Sequence, residues 1–364
     1  MSANNTLKQA PSYWEKKGLK ALALWPLSKL FGVVSSLRRF LYDLSIIKSS
    51  TLPVPVVIVG NIRVGGTGKT PTVLAIAKVL KARGFHPGII SRGYKGSNQE
   101  AIEVITSSLP SIVGDEPCYM ASQLQDLNIP IFIHPQRVIA GQELLKRYPD
   151  INVIISDDGL QHRGLVRWPA REGGRDIEFV VRDSRGEGNH FLLPAGPLRE
   201  PASRERDATL FTGSLKNQRS GISDEYFLGR RSFHLAGHLG KPYQLVNSAN
   251  TLSFEQITEQ FLPNNIIAIA GLGNPQRFFN DLAKQGIAGK CIPLPDHATY
   301  TPEFFNHIKA QCILITEKDA VKIWPEHPEV WAVQLQVQLP QALLGEIHQA
   351  LQTGLSSPHG HQTA

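Results

Sequence analysis

Gly65-Gly66-Thr67-Gly68-Lys69-Thr70 lies between a β-branched run, Val54–Val59, and a helical pattern that opens near Pro71. Glycines in that setting let the backbone wrap an anion, with the amides of a helix N-terminus facing it. The two residues that close the loop suit a nucleoside triphosphate: Lys69 to bridge the β- and γ-phosphates, and Thr70 to ligate Mg²⁺. Gly65, Gly66, Thr67 and Gly68 complete the expected nucleotide-binding set. Pro71 fits a first helical turn, where no N–H partner is required. The usual phosphate-loop spacing wants glycine at position 63, and this chain has Arg63 there.

Asp157 and Asp158 follow the strand-like run Val153–Ile155. A phosphate-loop sheet carries its second acidic motif at such a strand end, where one carboxylate serves the metal or its water shell and the other orients neighbours. Ser91-Arg92-Gly93 ends another strand, and Gly114-Asp115-Glu116-Pro117 forms a loop. Ligands of open α/β sheets bind outside the C-terminal strand ends, so Arg92 is a candidate to hold an anion and Asp115 to take a proton from an attacking hydroxyl. Gly271-Leu-Gly273-Asn-Pro275 resembles a dinucleotide fingerprint but has Gln276 where the third glycine belongs, so it reads as a tight turn. Asp296-His297 is a compact acid–histidine pair. Thr316-Glu317-Lys318-Asp319 has its lysine one place too late to read guanine.

These groups need a scaffold, and the chain supplies an alternation of strands and helices. Gly88–Ile90, Pro130–Ile133 and Ile177–Val181 add short buried runs, with helical patterns over Thr72–Arg83 and Val138–Arg147. That predicts an α/β fold with a phosphate-loop, mostly parallel sheet as its core. A second set, Ile266–Ile269, Cys312–Ile315 and Val330–Val337, predicts a smaller α/β lobe. The expected domains are a basic helical segment 1–50, a core 51–212, a second lobe with its connection 213–352, and a disordered tail 353–364.

The net charge of +7 is concentrated in one segment: residues 1–50 hold eight Lys or Arg and two acids, while the other 314 residues hold 30 bases and 29 acids. The basicity therefore belongs to the N-terminus, and a nucleic-acid groove is not expected. In that segment Leu27, Leu30, Val34, Leu37, Leu41 and Leu44 recur at steps of three and four. Such a basic amphipathic helix either packs on a core or docks on an anionic membrane surface, and its polar interruptions leave it short of a spanning segment. Cys118, Cys291 and Cys312 are widely spaced, which excludes a zinc motif and fits a reducing compartment. A metal-delivery chaperone or a nucleotide-driven ATPase or GTPase switch is the alternative class. It would need metal-ligand spacing or a guanine motif.

The ordered set GGTGKTP at 65–71, SRGY at 91–94, GDEP at 114–117, DDGLQH at 157–162, LLPAGPLREP at 192–201, AGLGNPQRFF at 270–279, DH at 296–297 and TEKDAVK at 316–322 resembles the tetraacyldisaccharide 4′-kinases of lipid A biosynthesis. The resemblance spans about residues 51–322. It implies an ATP- and Mg²⁺-dependent transfer of the γ-phosphoryl to the 4′-hydroxyl of an acylated glucosamine disaccharide 1-phosphate. It also implies a place on the cytoplasmic face of a Gram-negative inner membrane, peripheral or monotopic, and the chain is expected to be a monomer. Carried over by motif, Asp115 is expected as catalytic base with His297 as its partner across the lobes. Thr70, Glu116, Asp157 and Asp158 are expected around the metal, and Arg92, Gln161, His162 and Arg199 around the lipid substrate. Trp168–Gly174 departs from the family pattern as an insertion of about seven residues, expected to be a surface excursion.

Overall fold

Val56, Val57, Ile58 and Val59 are all fully buried, as expected of a continuous apolar run covered on both faces of a parallel sheet, and they lie at the centre of the larger of two sheets. The computed structural model describes residues 11–93, 100–213, 231–323 and 326–356. In chain order the first eight strands are β1 (Val56–Gly60), β2 (Pro87–Ser91), β3 (Ile102–Glu103), β4 (Ile131–Ile133), β5 (Val153–Asp157), β6 (Ile177–Asp183), β7 (Ala208–Thr212) and β8 (Arg231–Leu239). Then come β9 (Tyr243–Gln244), β10 (Ile266–Ala270), β11 (Lys290–Pro293), β12 (Cys312–Thr316), β13 (Val330–Val333) and β14 (Leu335–Gln338). The larger sheet runs β14-β8-β7-β6-β1-β5-β2-β4-β3, and the smaller runs β11-β10-β12-β13-β9.

Parallel pairing dominates both sheets. β1 lies between β5 and β6, with Val59 opposite Asp157 and Phe179, and β2 pairs with β5 and β4. The C-terminal ends of β1, β2, β5, β6 and β7 thus lie at one edge, and the glycine loop, Ser91, Asp157, Asp183 and Thr212 all belong to it. Helices α1 (Leu19–Asp43), α2 (Lys69–Ala82), α3 (Asp115–Leu124) and α4 (Arg137–Arg147) belong to the same unit.

The chain divides into two compact units, Pro11–Ala236 with the segment from Val337 onward, and Gly237–Gln336. Two features differ from the sequence reading. Residues 231–239, expected to be irregular connection, form β8, whose mostly exposed or half-buried pattern hides its period. The run Val330–Val337, read as one strand, divides at Gln334 into β13 of the smaller sheet and β14 of the larger. A C-terminal helix, Gln341–Ser356, extends past Thr353, and the rest of the tail expected to be disordered lies outside the described residues.

In the smaller unit, two of the sequence motifs form one clasp. The Asp319 carboxylate, fully buried, accepts from the Gly271 amide (2.9 Å), the Thr316 hydroxyl (2.7 Å) and Lys322 Nζ (2.8 Å). A Cβ at position 271 would lie 2.8 Å from Asp319 Oδ1, so glycine is needed there. The Thr316–Asp319 motif therefore closes the turn after β10.

Helix α1 is turned inside out for a core helix. Of its 25 residues only Ala21 and Ser28 are buried, while Leu30, Val33, Leu37 and Phe40 are 55–64 % exposed. Ser28 Oγ donates to the Leu192 carbonyl (2.9 Å), and a Cβ at Gly32 would lie 3.1 Å from Leu192 Cδ1. Small residues thus let the helix rest on the loop that follows β6, and the leucine stripe is left outward. The stripe is not core packing. No helix among the described residues is long and apolar enough to cross a membrane.

Candidate active site

Position 68 takes φ +89 as the N-cap of α2, and a Cβ there would lie 3.2 Å from the Thr212 side chain. Glycine takes that backbone without strain, and a side chain there would press on Thr212. Around it the loop is pinned by side chains. Asn61 Nδ2 donates to the Gly65 carbonyl and to Thr67 Oγ1, each at 3.1 Å, and Thr212 Oγ1 donates to the Thr67 carbonyl at 2.7 Å. Arg185, paired with Asp183 at 2.6 Å, donates to the Gly66 carbonyl at 2.5 Å. These bonds fix the loop carbonyls and leave the amide side of α2's first turn for an anion.

Arg63, which replaces the expected glycine, takes no part in the anion side of the loop. It is 3 % exposed, donates to the carbonyls of Arg185 and Gly186 at 3.3 Å each, and pairs with Glu15. Arg63 therefore braces the Arg185–Gly186 turn, and Arg185 in turn holds the loop at Gly66.

The acidic pair divides into two unlike groups. Asp158, at φ +48, sits between two cations, with Lys69 Nζ at 3.7 Å and Arg199 at 3.1 Å. Burial pushes its carboxyl up, but Lys69 and Arg199 outweigh that, so it is held below the usual carboxylate range. Asp157 is 2 % exposed, and its carboxyl is raised to about 7, first by burial and then by the charges of Glu116 and Asp158. Its Oδ2 accepts from Ser91 Oγ at 3.1 Å, and its Oδ1 accepts nothing among the described residues. A buried carboxylate oxygen with no donor, facing further negative charge, suits a divalent cation. The described residues hold no cluster of three or more His, Cys, Asp or Glu arranged for a metal. Mg²⁺ at a phosphate site needs only one or two carboxylates and completes its shell with phosphate oxygens and water.

The other expected residues are accounted for as follows. Asp115 and Glu116 open α3 behind Gly114, at φ +97, and Glu116 acts on Asp157. The Cys118 thiol, one helical turn on, is pushed up to about 12 by burial and then by Asp115. Arg92 is exposed, and its charge acts on His162. His162 is lowered to about 3 by burial, then by Arg137 and Arg92, so its imidazole is neutral at physiological pH. Gln161 is already engaged, donating to Glu200 (2.8 Å) and to the Asn61 carbonyl (3.2 Å), which makes it a positioning group as well as a substrate candidate. The larger unit thus brings together Lys69, Glu116, Asp157, Asp158, Arg92, His162 and Arg199. His297 belongs to the smaller unit, at φ +59, beside Asp296, which also pairs with Lys318 at 3.3 Å.

Two residues with defined positions escaped sequence reasoning, and a third was read only as part of its motif. Asn61 holds the loop, Ser91 holds Asp157, and Arg137, 2 % exposed, donates to the Asp157 carbonyl at 2.8 Å. Asn61 and Ser91 stand at strand ends, the position that singled out Asp157, and Arg137 follows shortly after β4.

Trp168–Gly174 forms a surface excursion closed by the Pro169–Asp176 bridge, with one 3-10 turn at Ala170–Glu172 and Trp168 42 % exposed.

A family model described as tetraacyldisaccharide-1-P 4′-kinase matches residues 20–352. A tetraacyldisaccharide 4′-kinase of Polynucleobacter asymbioticus is 60 % identical over 359 residues, covering 98 % of each chain. One from Herminiimonas arsenicoxydans is 41 % identical over 350 residues, covering 93 % of this chain and 94 % of that one. Among solved structures, an LpxK from Aquifex aeolicus in complex with ATP matches with a TM-score of 0.71 and 28 % identity, over 91 % of this chain and 99 % of that one.

Proposed function

The chain belongs to the tetraacyldisaccharide 4′-kinase family and is an ATP-dependent kinase of lipid A biosynthesis, and on that premise we propose which of its residues carry the transfer. Phosphoryl transfer asks the protein mainly for positioning and charge stabilisation. The amides of Gly66 to Thr70 and the Lys69 ammonium receive the β- and γ-phosphates. Lys69, held near Asp158, is pre-aimed by a carboxylate that Arg199 also neutralises in part. Arg92 and the neutral His162 contact the lipid's sugar phosphate or hydroxyls, with Gln161 fixed by Glu200 beside them. Asp115 accepts the proton of the 4′-hydroxyl, and His297 of the smaller unit is its partner in turnover.

Mg²⁺, when bound, supplies charge neutralisation on the β- and γ-oxygens. Asp157 and Glu116, with the Thr70 hydroxyl, are the groups that would hold it, and Asp158 is left to the two cations. The observation that carries this reading is the buried Asp157 Oδ1 without a donor, at the strand end beside the glycine loop. Asp157→Asn removes the charge while keeping the shape. It is expected to raise the Mg²⁺ concentration needed for half-maximal nucleotide binding at least tenfold and to leave the thermal midpoint unchanged or higher, since a buried charge has been removed. An unchanged Mg²⁺ requirement, measured by nucleotide-binding titration, would reassign the metal.

Helix α1 is proposed to lie on an anionic bilayer, leucine stripe down, with Lys20, Lys29 and Arg38 toward the headgroups. Lys29 Nζ lies 5.0 Å from the Trp25 ring centre, a pairing suited to a membrane interface. Replacing Leu30 and Leu37 together with Glu should abolish flotation with anionic vesicles without lowering the thermal midpoint, because neither side chain is buried. Flotation equal to wild type would rule the helix out as the docking element.

A further inference from the structure

Where α1 ends, its last turn forms one wall of a cavity of about 630 Å³ in the larger unit. That is the size of an ordinary small-molecule pocket, roughly 300–1,000 Å³. Five arginines and three acids line it, and Glu200, Glu172 and Asp207 reach the same guanidiniums from beside the lining. Glu178 alone faces three guanidiniums, Arg167 at 3.2 Å, Arg204 at 3.1 Å and Arg171 at 3.3 Å. Its carboxyl is pushed up by burial but held below the ordinary range by Arg167 and Arg204.

Two arginines are the most weakly paired. Arg39 of α1 reaches Glu200 only at 3.8 Å, and its buried Nε has no hydrogen-bond partner. Arg163, which directly follows the DDGLQH motif, is half-buried and has no side-chain hydrogen bond or ion pair among the described residues. Its charge is disfavoured first by burial and then by Arg39 and Arg204, with partial relief from Glu200 and Asp43. Natural proteins seldom hold partly buried guanidiniums together without an anion, because each lacks the hydrogen-bonded partner that offsets its desolvation. The planar fork of arginine matches phosphate oxygens two at a time. Tyr42 and Ser45 add hydroxyls to the same wall, and the adjoining Leu37, Phe40 and Leu44 are exposed apolar residues. A phosphate bonded to acyl chains would meet the guanidiniums and the leucine stripe together.

We propose that Arg163 and Arg39 form an anion site for a lipid-borne phosphate, at the junction of the membrane helix and the loop that follows the acidic pair. This rests on the reading of the chain as a lipid kinase working at a bilayer. Two sources share that chemistry, a bilayer phospholipid headgroup and the phosphate already present on the acylated disaccharide.

The test compares full-length wild type with Arg163→Gln and Arg163→Lys. Binding is measured to phosphatidylcholine vesicles with and without phosphatidylglycerol, and KM for the acylated disaccharide 1-phosphate is measured in neutral detergent micelles. If the headgroup is the source, Arg163→Gln loses about fivefold of the anionic-vesicle binding, the effect of one basic side chain near an anionic surface, and its KM is unchanged. If the substrate is the source, KM rises by a similar factor with kcat preserved, and vesicle binding holds. Arg163→Lys should fall between wild type and Arg163→Gln on whichever axis moves. No change on either axis overturns the proposal, as does a thermal midpoint that falls in step with the binding loss, which would make Arg163 structural. Wild-type turnover and wild-type vesicle binding report separately on the underlying reading.

Discussion

Lys69→Ala is expected to reduce turnover by about a thousandfold, within the range reached when one preorganised charge-stabilising group is removed from a transition state. The side chain is only 13 % exposed and stands 3.7 Å from Asp158, so its charge acts where water screens little. The loss should appear in kcat and kcat/KM together, because charge on the transferring phosphoryl shifts as the bond breaks. The fold should survive. The glycine loop is held by Asn61, Thr212 and Arg185, none of which bonds Lys69, and Asp158 keeps Arg199. Steady-state kinetics with a thermal melt check both halves, and near-normal turnover in a folded Lys69→Ala protein would refute the assignment.

The second large effect is expected at the base. A sugar hydroxyl has a very high pKa, so its proton must leave as the bond to phosphorus forms, and a positioned carboxylate is the natural acceptor. Asp115 is the first residue of α3, next to Glu116, whose charge acts on Asp157. Asp115→Ala and His297→Ala should each lower kcat at least a hundredfold with ATP affinity little changed. If they act as one unit, the double variant should be scarcely worse than either single one. Additive losses would separate the two roles, and loss of ATP binding in Asp115→Ala would move that residue to the nucleotide site.

Much of this was legible in the chain because it was local. The glycine loop, the acidic pair and the runs Val54–Val59 and Val153–Ile155 are consecutive residues whose environment follows from their own pattern. Strands β1 and β5 are buried on both faces, and their composition says so. Strand β8 is partly exposed and its polar residues break the period, so nothing local announced it. The apolar run from Val330 names strands but not the sheet each joins, because pairing is a non-local choice. The same divide runs through the site. Arg63 contradicted the loop pattern only until its partners Glu15, Arg185 and Gly186 were known, and those lie far along the chain. Which aspartate faces the metal was open in the sequence. It became arguable from the cations: Oδ1 of each aspartate lacks a hydrogen-bond donor, but Asp158 has Lys69 and Arg199 beside it, while among the described residues Asp157 is in no ion pair. The outward stripe of α1 was undecidable from periodicity alone, since a core helix and a membrane-docked helix share the same period.

In the proposed transfer the glycine loop, the acidic pair and Asp115 together move the γ-phosphoryl of ATP onto a lipid sugar. The most direct measurement follows labelled γ-phosphate from ATP in the presence of an acylated glucosamine disaccharide 1-phosphate, with a control lacking the lipid. Label is expected on the 4′-position of the disaccharide, dependent on Mg²⁺, with little free phosphate released in the control. Release of free phosphate at the same rate with and without lipid, and no label on the sugar, would contradict it.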